Sequence, residues 1–514
     1  MKLKNKEEEL KKYALLSVSD KSKIELLGKE LHQLEYAILA TGKTAKLLKE
    51  SGIDTIEVSN FTGFPEVFDG RVKTIHPKIF GGILFRRDDG NDIKQAVANS
   101  IEAIDIVCVN LYPFEKTAQN PDATLSDLIE NIDIGGPSLI RAAAKNYKFV
   151  SVLTSPEQYE DFIGELKSGE VKIQTREKLA VQAYSHTANY DVKISGTLEK
   201  RFGIKPDKFR MSVPILNELR YGENPHQKAE VCGNFYDYFE PIHGKELSYN
   251  NILDLVAAVE LVEDLGINSC AIIKHNNPCG AAKADSTLNA YLNALSCDPV
   301  SAFGGIVVVN EEVNEELALK LNEIFLEVIC APSFSETALT ILYKKKDRRL
   351  VKKLKKINDS EFTFRSIPGG VLLQSSDRVE DEFVNLKSVT NRKPTEAEIE
   401  DLKFAWIICK HVKSNAIVFV KDKMTLGIGA GQVSRVDSAK IASIKAKHFG
   451  FELKGSVVAS DAFFPFADGL LEVVNNGAVA VIQPGGSVRD AEVIEAANKN
   501  NTAMVFTGIR HFKH

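Results

Sequence analysis

The segment IIKHNNPCG (Ile272–Gly280) sets Lys274 beside His275 at the end of an apolar run. An imidazole takes a proton near neutral pH and an ammonium stabilises an oxygen that gains charge, so the pair has the chemistry of a base and an oxyanion partner. A second concentration lies in GRVKTIHPKIFGGIL (Gly70–Leu84), where Arg71, Lys73, His76 and Lys78 precede an apolar stretch with few acidic neighbours. Cations without evident partners point to an anionic ligand. NLYPF (Asn110–Phe114) then puts Tyr112 at a strand end, and IDIGGPSLIRAAAKN (Ile132–Asn146) puts Asp133 before a double glycine. Arg141 and Lys145 follow on one helix face. Taken singly, each has a plainer structural reading: a capping Asp, a packed Tyr, a surface Lys.

ATGKTAK (Ala40–Lys46) ends a strand in a threonine and a glycine before a helix, where backbone amides hold phosphate. A full phosphate loop needs a glycine where Ala37 stands, inside the strand YAILA, so the nucleotide-kinase reading fails on spacing. What survives is a simpler phosphate pocket with SVSDK (Ser17–Lys21) as its second wall, or a bare capping threonine.

These residues need elements to position them. Through the first third, YALLSVS, YAILAT, DIVCVNLY and FVSVLT read as buried strands separated by helical patterns, a parallel α/β layer. A helical stretch from Arg176 to Arg201 follows, then an irregular segment, which places a domain boundary near Phe202–Phe209 and the two domains at 1–205 and 206–514. Beyond it, CAIIKHNNPCG, GGIVVVN, NAIVFV, GSVVASDAFF and VAVIQPGG alternate with helices such as DLVAAVELVEDLG, again α/β. AIIKHNNPCG and VVASDAFFPFADG share a plan of strand, polar end with proline, helix and strand, which predicts a duplicated subdomain. The run KKKDRRLVKKLKK (Lys344–Lys356) carries nine basic residues and reads as a solvated connection rather than an anion-attracting surface.

With 514 residues, 44% hydrophobic and 26% charged, the chain suits two or more globular domains. Its 65 basic and 70 acidic residues make no field that gathers nucleic acid or anionic lipid. Seven scattered cysteines without a CxxC pair read as reduced, buried thiols. The charged start MKLKNKEEELKK and the lack of a stretch of roughly 18 apolar residues predict a cytoplasmic protein with no membrane partner.

Together, SVSDK, TGKTAK, GRVKTIHP, NLYPF and IDIGG…LIRAAAKN resemble the cyclohydrolase domain of the bifunctional transformylase–cyclohydrolase family of late purine biosynthesis, a methylglyoxal-synthase-like fold. LRYGENPHQ (Leu219–Gln227), IIKHNNPCG, DPVSAFGG (Asp298–Gly305), GIGAGQVSR (Gly427–Arg435), SDAFFPFADG and the terminal RHFKH resemble its transformylase domain, which carries duplicated cytidine-deaminase-like subdomains. The resemblance spans nearly the whole chain in order. It departs at Lys43, where the family more often has a second glycine, so Thr44 is the expected phosphate contact.

The resemblance implies formyl transfer from 10-formyltetrahydrofolate to an aminoimidazole carboxamide ribonucleotide (AICAR), then dehydrative closure to inosine monophosphate (IMP). In the first step His275 removes the amine proton and Lys274 stabilises the tetrahedral oxygen or protonates the folate nitrogen. For both to reach one substrate, the backbone has to leave strand geometry at Asn276–Pro278. By resemblance Arg220, Tyr221 and Arg435 bind the nucleotide, Asn415 lies near the reacting centre, and Phe463, Asp468 and Arg510 line the same site. In ring closure Lys73 and Lys145 polarise the formyl oxygen, Tyr112 relays a proton and Asp133 orients or deprotonates the amide. Ser19, Lys21, Thr44, Arg71, Thr74 and Arg141 bind substrate. The resemblance also implies a homodimer and neither zinc nor a nucleotide cofactor.

Two rivals remain. A zinc nucleobase deaminase is suggested by the Pro-Cys of KHNNPCG, yet Cys279 is followed by GAAKA and His275 by two asparagines, which lacks the second cysteine and the His-x-Glu. A non-catalytic nucleotide sensor would account for the first domain but not for the transformylase motifs.

Overall fold

Five runs of the first 155 residues become β1 (Lys12–Val18), β2 (Tyr36–Ala40), β3 (Ile56–Glu57), β4 (Ile104–Asn110) and β5 (Ser151–Leu153). They form one parallel sheet in the order β3-β2-β1-β4-β5. The computed structural model describes residues 11–68, 71–357, 362–378 and 383–514. Most of the charged N-terminal stretch, and Gly70 at the head of its motif, lie outside the described residues.

The central strands β1 and β4 are buried on both faces, so Leu15, Leu16, Val107 and Val109 alternate toward helices on either side rather than toward water. Each such side chain stabilises by about 1.5–3 kcal/mol. Chain order reverses between β1 and β4, and the crevice beyond the C-terminal ends of those strands is where an open α/β sheet binds its ligand. The helix predicted over Arg176–Arg201 runs over Ile173–Phe202. Contacts divide the chain into Met1–Ser212 and Val213–His514, a few residues beyond the predicted boundary, because Arg210 returns to Glu199 at 2.9 Å.

In the second unit β6 (Ile215–Leu219) and β7 (Ala229–Cys232) pair as a separate hairpin. Next come β8 (Phe239–His243), β9 (Ser269–Lys274), β10 (Asn277–Lys283), β11 (Ile306–Val309), β12 (Val328–Ala331) and β13 (Arg349–Lys353). A second hairpin, β14 (Phe362–Ile367) and β15 (Gly370–Ser375), precedes β16 (Lys387–Ser388), β17 (Ile417–Lys421), β18 (Met424–Gly429), β19 (Ser456–Ser460), β20 (Ala478–Gln483) and β21 (Ala503–Phe506). All but the hairpin strands join one sheet of twelve strands, β16-β21-β20-β19-β17-β18-β10-β9-β11-β12-β13-β8.

Read outward from the β10–β18 pair, the two halves have the same strand order and the same alternation of parallel and antiparallel neighbours. Helices Tyr249–Leu265 and Glu396–Lys410 occupy matching places before β9 and β17, each opened by a reciprocal capping pair, Ser248 with Asn251 and Thr395 with Glu398. One core runs continuously under both helices; the opposite face holds two separate cores, one per half.

The basic run Lys344–Lys356 is not a solvated connection. It contains β13, inside the sheet, and some of its nine cations are held locally: buried Arg348 donates to Asn322 Oδ1 at 3.1 Å, Arg349 pairs with Glu327 at 2.6 Å, and Lys353 pairs with Glu263. Apolar Leu350 and Val351 supply the burial that turned a charged string into a strand.

Candidate active sites

In the first unit the ends of β1 and β4 are tied together: Asn110 Oδ1 accepts the amides of Ser19 and Asp20, the latter at 2.8 Å. Thr44 is buried, and its hydroxyl lies 3.0 Å from Lys21 Nζ and 3.2 Å from the Val18 carbonyl. It therefore braces Lys21 and the end of β1, whereas Lys43, one residue earlier, is exposed. Burial holds the Lys21 ammonium below its ordinary pKa, repulsion from Lys43 and Lys73 acts the same way, and only Asp20 opposes them. Three ammonium groups thus converge at the sheet's switch point, a field that favours an anion.

Asp133 enters from the loop before helix Gly135–Lys145. Its Oδ1 accepts the Gly136 amide at 2.8 Å, its carboxylate also accepts the Tyr112 amide, and its own N–H donates to the Tyr190 hydroxyl at 2.9 Å. Burial raises its pKa, against those amides and the nearby Lys73. The second glycine is required: a Cβ at Gly136 would stand 2.5 Å from Asp133 Oδ2 and 2.7 Å from Leu111. Thr74 is buried against Gly135, and His76 Nδ1 caps helix Pro77–Leu84 by accepting from Lys78 N at 3.2 Å.

The structure thus brings Lys21, Lys73, Tyr112 and Asp133 together. Lys145 is exposed in the last turn of its helix, separated from Gly135 by about 15 Å of helical rise. Arg141 lies over the Tyr184 ring at 5.4 Å. The expectation of unpartnered cations is corrected: Arg71 pairs with Glu130, and Lys73 with Glu66 at 3.5 Å. Those carboxylates lie far off in sequence or beyond the window of the motif, so local composition did not reveal them.

In the second unit a cavity of about 410 Å³ opens where the two halves meet. Lys274, His275, Asn277 and Cys279 line one wall, Asp298 and Ser301 a second, and Gln432 and Lys445 the side contributed by the other half. Lys274 Nζ is held by the Phe303 carbonyl at 2.8 Å. The backbone leaves strand geometry one residue earlier than predicted: His275 and Asn276, with φ of 54° and 59°, are the turn between β9 and β10, and Asn277–Pro278 already belong to β10. Two consecutive positive φ values make the tight hairpin turn that matches strand twist, which lets neighbouring side chains line one cavity. Burial pushes the Cys279 thiol up to about 12, so it is protonated at neutral pH.

Asn415 borders this cavity through Gln432, whose carbonyl accepts its N–H at 3.0 Å and its Nδ2 at 2.8 Å. The Arg435 guanidinium is engaged within the protein, 2.7 Å from buried Asp461 and 3.0 Å from Ser460 Oγ. Gly427 and Gly429 of GIGAGQVSR serve packing, since a Cβ there would stand 2.2 Å from the Ala442 carbonyl and 1.9 Å from the Ser438 carbonyl of the covering helix. Exposed Arg510 stacks on Phe512 at 4.3 Å, and exposed Asp468 accepts the Gly469 amide at 2.7 Å; Phe463 is half-buried. Among the described residues no hydrogen bond or ion pair joins these three to the cavity lining. Arg220 and Tyr221 stand together at the end of β6, and the following turn is tethered to the Tyr249–Leu265 helix by Asn250 Nδ2 donating to the Glu223 carbonyl at 3.2 Å.

Sequence reasoning missed Lys445 of the cavity lining, and Asp254 of helix Tyr249–Leu265, whose carboxylate accepts the His275 and Asn276 amides.

One unit holds a parallel sheet with ammonium groups at its switch point, the other a doubled mixed sheet with a cavity lined by an imidazole and an ammonium, and together these define a two-domain enzyme. A family model described as an MGS-like domain matches residues 23–138, and one described as AICARFT/IMPCHase bienzyme matches residues 143–445. Proteins named bifunctional purine biosynthesis protein PurH are similar along their whole length. That of Persephonella marina is 51% identical, covering 98% of this chain and 99% of the relative. Those of Chlorobium chlorochromatii, 50% identical, and Thermoanaerobacter sp., 49% identical, cover 98% of this chain and 99% and 100% of themselves. The chain belongs to the AICARFT/IMPCHase bienzyme family, and is a formyltransferase and cyclohydrolase of the last two steps of IMP synthesis.

Proposed function

We propose that formyl transfer occurs in the cavity at the β10–β18 junction and ring closure at the C-terminal ends of β1 and β4. The observation that carries this division is that the Lys274–His275 wall belongs to the second unit, while the Lys21–Lys73–Asp133 cluster belongs to the first.

In formyl transfer the AICAR amine attacks the formyl carbon of 10-formyltetrahydrofolate. His275 takes the amine proton, Lys274 stabilises the tetrahedral oxygen, and the folate nitrogen leaves carrying a proton. Asn415 and Gln432 border the reacting centre, while Arg220 and Tyr221 hold the nucleotide, with Phe463, Asp468 and Arg510 at the margin. The Arg435–Asp461 pair supports the wall from behind.

In ring closure the carboxamide nitrogen attacks the formyl carbon and water departs. The phosphate is held at the ends of β1 and β2 by Ser19, Lys21 and the helix beginning at Gly42, with Thr44 bracing Lys21 and Arg71, Thr74 and Arg141 at the margins. Lys73 polarises the formyl oxygen and Asp133, its pKa raised by burial, deprotonates or orients the amide. Tyr112 relays a proton, and Lys145, exposed in the last turn of its helix, is the second ammonium for the formyl oxygen.

The mirrored strand order supports a duplication of cytidine-deaminase-like subdomains, and no group of three His, Cys, Asp or Glu among the described residues is placed to hold a metal. We take the chain to be a cytoplasmic homodimer that binds neither membrane nor nucleic acid, using domains near 1–205 and 206–514. The hairpin β14–β15 supports dimerisation: Phe362, Phe364, Leu372 and Leu373 are exposed, and a lone two-stranded hairpin is marginal in water. No helix among the described residues is long and apolar enough to cross a membrane.

The test measures tetrahydrofolate release from AICAR and 10-formyltetrahydrofolate and, in a separate assay, IMP formation from supplied formyl-AICAR, with zinc measured in the purified protein. Tetrahydrofolate release lost in His275→Ala and IMP formation lost in Lys73→Ala, each without loss of the other activity, are expected. Loss of both activities together in either folded variant would refute the division.

A further inference from the structure

We propose that Asp254 is the positioning residue of the formyl-transfer site. Its carboxylate accepts the two amides of the turn that presents the base, His275 N to Oδ2 at 3.0 Å and Asn276 N to Oδ1 at 2.7 Å. Both residues are held at positive φ, a conformation that costs side-chain-bearing residues energy and persists only where the surroundings impose it. A charged acceptor engaging both amides is that imposition, and it comes from the rigid helix Tyr249–Leu265 rather than from the loop. The turn's other end is fixed by Asn277, whose Nδ2 donates to the His275 carbonyl at 3.1 Å and whose Oδ1 accepts from Lys413 N at 3.0 Å.

The second half contains the same device without the base. Asp401, on helix Glu396–Lys410, accepts Asp422 N and Lys423 N at 2.8 Å each, and those residues have φ of 53° and 54° in the turn between β17 and β18. The two carboxylates and the two turns keep one constant spacing along the chain. Asp401 therefore measures what a carboxylate brace contributes to folding alone. What Asp254 adds is the direction of His275.

The role assigned to Asp254 rests on the reading of His275 as the base. Asp254→Ala, Asp254→Asn, Asp401→Ala and His275→Ala are compared in the full chain by Tm, by kcat and KM for formyl transfer, and by cyclisation of supplied formylated nucleotide. Asp254→Ala is expected to lower the transfer kcat roughly a hundredfold, the scale of a misplacement of about 1 Å, with KM changed by no more than about threefold and cyclisation intact. Asp254→Asn, which keeps one acceptor, recovers part of the rate and gives a second reading should Asp254→Ala fold poorly. Asp401→Ala loses a comparable amount of Tm yet keeps the transfer kcat. Equal loss of transfer in Asp401→Ala, or full transfer in folded Asp254→Ala or Asp254→Asn while His275→Ala is inactive, overturns the positioning role alone. Full transfer in His275→Ala overturns the base and the positioning role together.

Discussion

Lys445 Nζ stands 2.8 Å from Asp298 Oδ2, joining the helix that covers β18 to the segment that closes the other half of the cavity. Asp298 is buried and also accepts from Ser301 N at 2.9 Å and Ser301 Oγ at 2.8 Å. Burial by itself pushes this carboxyl upward; Lys445 and Ser301 outweigh it and hold the pKa below the ordinary value. A depressed carboxylate contributes stability above its unfolded pKa and loses it as pH falls through the folded one. Lys445 is half-exposed, so its loss costs less than breaking a fully buried pair. Lys445→Met is expected to destabilise by roughly 1–3 kcal/mol at neutral pH. The difference from wild type shrinks as pH falls below the ordinary carboxylate range and through the depressed pKa of Asp298, where the protonated carboxyl needs no cation. Denaturant unfolding at neutral pH and below that range checks this, and an unchanged difference would assign Lys445 no electrostatic role.

His275→Ala is expected to abolish formyl transfer while cyclisation of supplied formylated nucleotide continues near the wild-type rate. Losing a positioned general base costs on the order of 10²–10⁴-fold, and the cyclohydrolase groups belong to the other unit. Separate assays of tetrahydrofolate release and IMP formation read the two steps. Equal loss of both in a folded variant contradicts the separation.

The legibility of these sites follows the range of the interactions that build them. Lys274 and His275 were visible as neighbours because one strand end carries both, and the strand itself was visible because a strand buried on both faces is a continuous apolar run. The position of the turn was not, since Asn-Pro is the stronger local turn signal and the carboxylate that holds the His275 and Asn276 amides, Asp254, comes from a separate helix. Arg71 and Lys73 looked unpartnered for the same reason: Glu130 comes from a different helix and Glu66 from before the motif. Thr44 was expected to contact phosphate, whereas its hydroxyl turns inward to Val18 and Lys21. In Lys344–Lys356, charge density outweighed Leu350 and Val351, whose burial in the sheet depends on strands on either side.

Gly136→Ala is expected to impair cyclisation strongly and leave formyl transfer unchanged. The added Cβ would lie 2.5 Å from Asp133 Oδ2 and 2.7 Å from Leu111, inside contact distance, so the carboxylate must move and release its hydrogen bond from the Gly136 amide. Displacing an oriented group by about 1 Å lowers a rate by roughly a hundredfold. Overpacking of this kind also destabilises by about 1–3 kcal/mol. Activity is therefore compared at a temperature where circular dichroism shows the variant folded. A variant that cyclises at the wild-type rate would mean that Asp133 does not act from this position.

Residues 1–212 are expected to fold and cyclise by themselves. Their sheet is complete, with β5 and β3 as its edges among the described residues, and one hydrophobic core spans all the helices around β1 and β4. The long helix Ile173–Phe202 belongs to this unit: Leu179, Ala180 and Ala183 are buried in the same core, and Tyr190 binds the Asp133 amide. A fragment ending before that helix would expose the core and lose the Tyr190 contact, so truncation near residue 172 should leave little folded protein. The 1–212 fragment, in contrast, should convert formylated nucleotide to IMP without any folate. Within it, Lys73→Ala removes the ammonium nearest Asp133 among those that converge on the pocket, and charge then develops on the formyl oxygen without stabilisation. Removing one such group costs on the order of 10²–10³-fold in kcat. Initial rates of IMP formation by the fragment and by its Lys73→Ala variant measure both points. A folded fragment without cyclisation would place an essential group outside the first unit, and an unimpaired Lys73→Ala would remove this lysine from the reaction.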